Sequence, residues 1–142
     1  WELHGRAEGD APPVDLDGER KAGELVRALK RQSLITAAHD LADGGLAVAA
    51  AEMALAADTG VTIEADGALA PSAWFFGEDQ GRYLLACTDA DAVIAAASNA
   101  GVSARRVGET GGEAVRLGGS EVALAELRAA HEGGFARMMG EI

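Results

Sequence analysis

Apolar and polar positions along the chain alternate between helical and extended spacing. Ala22, Leu25, Val26 and Leu29 recur at helical intervals, with Glu19, Lys21, Glu24, Arg27, Lys30 and Arg31 on the other side, acids first and bases last. That order suits the helix dipole and predicts a surface helix capped by Asp15 or Asp17. The short apolar run 34–38 reads as a buried strand. Asp43-Gly44-Gly45 then reads as a tight turn opening a helix over 46–57. Leu46, Ala49, Ala50, Met53, Ala54 and Ala57 give that helix a wide face of small residues, and Glu52 is the one charge inside it. A helix so apolar is expected to be covered on both sides. Gly60 ends it, and 61–65 alternates as a strand does.

Past a loop at 66–72, the adjacent aromatics Trp74, Phe75 and Phe76 mark a packing anchor. The near-continuous apolar run 83–87 has the character of a central strand. Thr88 with Asp91 resembles a capping box for a helix over 89–100, with Val93, Ile94 and Ala97 inward and Gly101 as its stop. A strand is expected over 102–107, and a hairpin joins 113–117 to 121–123 across Gly118-Gly119. The last helix carries Leu124, Leu127, His131, Phe135 and Met138 on its apolar face, which makes His131 structural, and Gly133-Gly134 is expected to kink or split it. This order predicts an α/β (α+β) sandwich, a mixed sheet with helices packed on it. Residues 1–13, where Gly5, Gly9, Pro12 and Pro13 sit among mixed charges without periodicity, read as an arm or linker. The domain proper is expected at 14–142.

Composition narrows what such a domain does. The 142 residues suffice for one domain with a proper core, and since aromatics are only 4% that core must be aliphatic. A net charge of −11 without a basic stripe argues against nucleic acid and against an anionic membrane surface as partners. Cys87 is the single cysteine, so no intrachain disulfide forms, and its apolar setting reads as core rather than as a reactive thiol. With no signal peptide and no uncharged stretch of membrane-spanning length, a cytoplasmic location is expected.

Two polar stretches carry the candidate chemistry. A strand feeding Gly44-Gly45 at a helix start is a recipe for an anion site, because the first N–H groups lack partners and glycine admits a ligand to the backbone. Asp43 is also placed to cap the helix itself. Gly77-Glu78-Asp79-Gln80-Gly81-Arg82 delivers Arg82 to the start of a strand, where its fork suits a carboxylate or phosphate, with Gln80 beside it for an amide or hydroxyl. Alternatively Arg82 pairs with Glu78 or Asp79 and only stiffens the loop. His39 with Asp40 suggests a base oriented by an acid, although a histidine at a strand end more often satisfies a neighbouring carbonyl or carboxylate. One acidic cluster falls short of the three convergent ligands a metal needs. No catalytic residue is assigned. For the two stretches to form a site they must converge on a common rim and present positive potential there.

Ala38-His39-Asp40-Leu41-Ala42-Asp43-Gly44-Gly45-Leu46 followed by Phe76-Gly77-Glu78-Asp79-Gln80-Gly81-Arg82-Tyr83-Leu84 resembles the C-terminal part of the large, synthetase subunit of phosphoribosylformylglycinamidine synthase. That subunit belongs to the aminoimidazole ribonucleotide synthetase superfamily. Asp15-Leu16, Val107-Gly108, Gly111-Gly112 and the stretch 127–132 resemble the same order of landmarks, so the likeness runs from Pro13 onward. Two departures stand out. Ala42 replaces the usual Ser and removes a hydroxyl from the turn, and Gly134 stands where an aromatic is common. The resemblance implies a ligase of purine biosynthesis that makes formylglycinamidine ribonucleotide from formylglycinamide ribonucleotide, ammonia, ATP and Mg2+. It also implies partners: the remaining synthetase domains, a glutaminase subunit and a small bridging subunit. The residues it points to for the substrate or its phosphate are Asp43, Gly44, Gly45, Gln80, Gly81 and Arg82, with His39, Asp40 and Glu78 in support. The family's catalytic histidine and most of its nucleotide and metal ligands belong to other domains, so no turnover is expected from this chain alone. Two alternatives stand beside this reading. One is another superfamily member (aminoimidazole ribonucleotide synthetase, selenophosphate synthetase or thiamine-phosphate kinase), and the other is a purely structural or docking domain.

Overall fold

The first helix forms where its pattern places it. The computed structural model describes residues 14–140, without the side chains of 135–138. Helix α1 spans Leu16–Arg31, and the Asp15 carboxylate caps it by accepting the Gly18 N–H at 3.0 Å. The expected arm at 1–13 lies outside the described residues, as do the side chains of Phe135 and Met138. Strand β1 is Ala37–Asp40, helix α2 is Gly45–Ala57 and strand β2 is Val61–Ile63. Helix α3 (Pro71–Phe76), strand β3 (Tyr83–Ala86) and helix α4 (Ala90–Asn99) follow. Strands β4 (Gly108–Thr110), β5 (Ala114–Leu117) and β6 (Ser120–Ala123) precede helix α5 (Leu124–Met138).

The architecture is mixed α/β, with its strands divided between two sheets. β1 and β3 form an antiparallel ribbon, pairing Ala37 with Ala86 and Asp40 with Tyr83. The second sheet runs β4-β2-β5-β6, with β2 and β5 parallel and the other neighbours antiparallel. Helix α2 is the hub. Leu46, Ala47, Ala49 and Ala50 pack with Leu41, Ile63, Trp74 and Phe75, while Ala54 joins Val115 and Leu124 under α5. A third cluster, Leu29, Ile35 and Val93, ties α1 and α4 beneath the ribbon.

Several expectations are corrected. The ordered part of β1 lies two to three residues later than 34–38, which puts His39 and Asp40 on the strand. The run 83–87 is not central: β3 pairs with β1 alone among the described residues. It is apolar throughout because Leu84 packs on the α2 cluster and Leu85 on the α1–α4 cluster. Residues 102–107 are irregular, and the strand starts at Gly108, where any Cβ would meet the Thr62 carbonyl oxygen at 2.0 Å. Asp89, not Thr88, caps α4 by accepting the Ala92 N–H at 3.0 Å. Helix α2 stops at Asp58, in left-handed conformation, rather than at Gly60. Arg128 of α5 holds that end, donating to the Leu55 carbonyl at 3.2 Å and to Asp58 at 2.9 Å. Helix α5 runs unbroken through Gly133 and Gly134, and His131 is exposed rather than set in an apolar face.

Candidate functional site

The two glycine-hinged stretches meet. Gly44 is the N-cap of α2, at φ 80°, and contributes no side chain to the helix end. Its N–H donates to Glu78 Oε1 at 2.9 Å, so a carboxylate from 34 residues away sits on the helix start. The Asp43 carboxylate accepts no hydrogen bond among the described residues, so the cap expected of it is not made, and Glu78 instead holds the N–H of the N-cap residue itself. Gly45, at φ 60°, backs directly onto α3: a Cβ there would meet the Gly77 oxygen at 2.7 Å and the Phe76 carbonyl carbon at 2.9 Å. The Leu41 N–H donates to the Arg82 carbonyl at 3.0 Å. Three successive contacts thus lace 41–45 to 76–82.

Arg82 is held from two sides. Its Nη1 donates to Asp79 at 3.1 Å, and its guanidinium carbon lies 5.8 Å from the Trp74 ring centroid. Arg105 covers the same indole at 4.4 Å and grips Asp66 through two hydrogen bonds of 2.9 and 3.0 Å. That bidentate grip holds the Asp66 carboxyl below its ordinary range. The indole N–H donates to the Glu64 carbonyl at 3.1 Å, which fixes the ring that both arginines approach. Gln80 and Gly81 form the exposed tip of the loop, and Gly81 (φ 69°) faces Glu19 of α1 so closely that a Cβ would meet its Cγ at 2.9 Å.

Between the turn, the loop and α1 lies an open cavity of about 710 Å³. Its wall carries the acids Glu19, Asp40, Asp43, Glu78 and Asp79 and three arginines, Arg20, Arg27 and Arg82. The wall is therefore more acidic than the sequence pattern suggested. Arg20 is committed to Asp17 and Glu24 on its own helix. Arg27 has no ion pair among the described residues, and Arg82 spends only Nη1 on Asp79, so these two hold the unspent donors. The contribution of α1 was invisible in sequence, since its polar face reads like any solvated helix face.

His39 looks into a smaller neighbouring cavity of about 210 Å³, on the other side of Asp43. Its Nδ1 lies 2.6 Å from the Asp40 carbonyl oxygen and its Nε2 2.8 Å from Glu52 Oε2. Both partners are pure acceptors, so both ring nitrogens must carry protons for both bonds to form. The Asp40 carbonyl and then the Glu52 carboxylate raise the imidazole's pKa above its usual 6.5, against some desolvation. Glu52 was legible only as the lone charge on α2. With both hydrogen bonds made, His39 ties β1 to α2 and has no free lone pair with which to act as a base. Among the described residues no three His, Cys, Asp or Glu side chains converge on a metal-sized site.

Known proteins share this chain's sequence pattern and fold. The phosphoribosylformylglycinamidine synthase subunit PurL of Zymomonas mobilis is 50% identical to this chain over 139 residues, 97% of the chain. The same subunit of Sinorhizobium fredii strain HH103 is 49% identical over 142 residues. In each case the chain spans about a fifth (19%) of the relative's length. Among solved structures, T. maritima PurL complexed with FGAR superposes with a TM-score of 0.72 at 19% identity, covering 89% of this chain and 24% of that one. The ADP complex of the same protein gives 0.72 over 83% of this chain and 23% of that one, so the fold is shared. The sequence family described as AIR synthase related protein, C-terminal domain, matches residues 1–118, and the chain belongs to it.

Proposed function

We propose that this chain serves as the C-terminal domain of an ATP-dependent synthetase of purine biosynthesis. The reaction is conversion of formylglycinamide ribonucleotide and ammonia to formylglycinamidine ribonucleotide, and the domain has no turnover of its own. The observation that carries the site is the lacing of 41–45 to 76–82 on one cavity wall, with Arg27 and Arg82 holding unspent guanidinium donors. The near-50% identity to PurL subunits over almost the whole chain supports the reaction. On this reading the wall meets an anionic group of the ribonucleotide or nucleotide, Arg82 binds it by its fork, and Gln80 faces a neighbouring amide or hydroxyl. Asp43 and Gly81 shape the rim, Gly44 and the buried Gly45 lie behind it, and His39, Asp40 and Glu78 support it.

ATP, when bound, supplies the phosphoryl group that activates the substrate's amide oxygen. Its use is supported by T. maritima PurL having been solved with ATP and with AMPPCP. Among the described residues no three acids converge on a metal-sized site, so on this reading the Mg2+ of the intact enzyme is held by its other domains. The partners on this reading are the other synthetase domains, a glutaminase subunit that delivers ammonia and a small bridging subunit, in the cytoplasm. No described helix is long and apolar enough to cross a membrane.

In the synthetase polypeptide carrying this domain, Arg82→Ala should weaken binding of formylglycinamide ribonucleotide by about 1.5–3 kcal/mol, the range for a hydrogen bond to a charged group. Calorimetric titration reads it directly. An unchanged affinity favours the second reading, a purely structural domain, for which the internal pairing of Arg82 with Asp79 is the specific support.

A further inference from the structure

We infer that Glu78 is a positioning residue: it fastens the 77–82 loop to the start of α2 and so sets where Arg82 stands. The inference rests on the reading of Arg82 as a ligand contact and adds how that contact is held.

Helix α2 begins without a side-chain cap of its own. A local cap is sterically closed, because a Cβ on Gly44 would lie 2.2 Å from Val48 Cγ2 and φ is 80°. The acceptor therefore has to come from elsewhere in the chain, and Glu78 provides it across 34 residues. A carboxylate on a helix N-terminus is favourable through both the hydrogen bond and the dipole, so the bond works as a cross-link and not only as a cap. Glu78 and Arg82 flank Asp79, and it is Asp79 that pairs with the arginine. The two adjacent acids thus divide the labour: Glu78 anchors the loop and Asp79 aims the guanidinium. The Gly44 N–H is already taken, so that one donor is closed to an incoming anion.

The test uses the full synthetase polypeptide with Glu78→Ala, Glu78→Gln, Arg82→Ala and the Glu78→Ala/Arg82→Ala double variant. Steady-state kinetics vary formylglycinamide ribonucleotide at saturating ATP. Glu78→Ala should raise KM for the ribonucleotide roughly fivefold while kcat and the KM for ATP stay within about twofold. Glu78→Gln should lie near wild type, since its amide oxygen still accepts from Gly44. In the double variant the Glu78 effect should vanish, because it acts through Arg82. Hydrogen exchange on the same proteins reads the fastening apart from ligand binding. Faster exchange over 77–82 in Glu78→Ala but not in Glu78→Gln supports it, even if Arg82→Ala leaves KM untouched and the ligand reading alone fails. Wild-type exchange in Glu78→Ala overturns the inference, and so does a KM effect that adds in full to that of Arg82→Ala.

Discussion

Gly45 is where the lacing of turn to loop can be tested most directly. A methyl group there would lie 2.7 Å from the Gly77 oxygen, 2.9 Å from the Phe76 carbonyl carbon and 3.0 Å from the Phe75 oxygen. All three are backbone atoms. They cannot withdraw by a rotamer change, and α3 cannot retreat either, because the buried Phe75 ring lies against Gly118 of the β5–β6 hairpin. Left-handed backbone alone costs an alanine about 1–2 kcal/mol, and overpacking adds about 1–3. Gly45→Ala should therefore lose about 2–5 kcal/mol, a large share of the 5–15 kcal/mol that holds a typical domain together. Gly67 is the control: φ is 75° and nothing lies within 4 Å of its would-be Cβ, so Gly67→Ala should lose only the backbone cost, about 1–2 kcal/mol. At about 4 °C per kcal/mol, the expected falls in Tm are about 8–20 °C for Gly45→Ala and about 4–8 °C for Gly67→Ala. Urea unfolding followed by circular dichroism gives the free energies, with m expected to be unchanged. Equal losses at the two glycines would refute the close approach of turn to α3, and with it the shared rim.

Two further predictions follow from the same geometry. Trp74→Phe replaces the buried indole with a smaller ring, removes the N–H that satisfies the Glu64 carbonyl and weakens the Arg105 stack. It should cost at least about 1–2 kcal/mol in the same urea assay, and a neutral result would mean that neither the indole nitrogen nor its ring holds anything. His39 should titrate above 6.5 by NMR, and its midpoint should fall only partway in Glu52→Ala because the Asp40 carbonyl is the larger cause. The folded pKa is raised, so the stability His39 contributes is complete below about pH 6.5. It is lost as pH rises through the folded value, and stability that grows over that window would contradict the double hydrogen bond.

What the sequence disclosed follows physical lines. Elements whose stabilising groups are local, such as α1 with Asp15 at its start or the β5–β6 hairpin at Gly118-Gly119, were legible because cap, stripe and turn lie within a few residues of each other. Elements that depend on distant partners were not. Helix α2 takes an acceptor at its N-terminus from Glu78 and a donor at its C-terminus from Arg128, so neither Asp43 nor Gly60 plays the part that local rules gave it. The run 83–87 looked central because two separate clusters cover its faces, and no periodicity distinguishes that from burial inside one sheet. The candidate site was half legible in the same sense. Both glycine stretches were visible, while the α1 wall and the His39–Glu52 bond exist only once the chain has folded.

The charge on the cavity wall changes the argument for how an anion would be bound. Positive potential was the expected attraction, yet Glu78 occupies the helix start and Asp79 holds Arg82. These acids do not consume the arginine. A guanidinium has five N–H donors, and Asp79 takes one nitrogen, leaving Nε and Nη2 without partners among the described residues. Pairing with Asp79 and stacking near Trp74 remove much of the rotamer freedom that a long side chain would otherwise surrender on binding. On the proposed reading, then, affinity comes from an arginine already aimed, set in a surround acidic enough to turn away anions that cannot use its fork. A phosphate or carboxylate satisfies two parallel donors at once, whereas a diffuse or monodentate anion meets only the repulsion of five carboxylates.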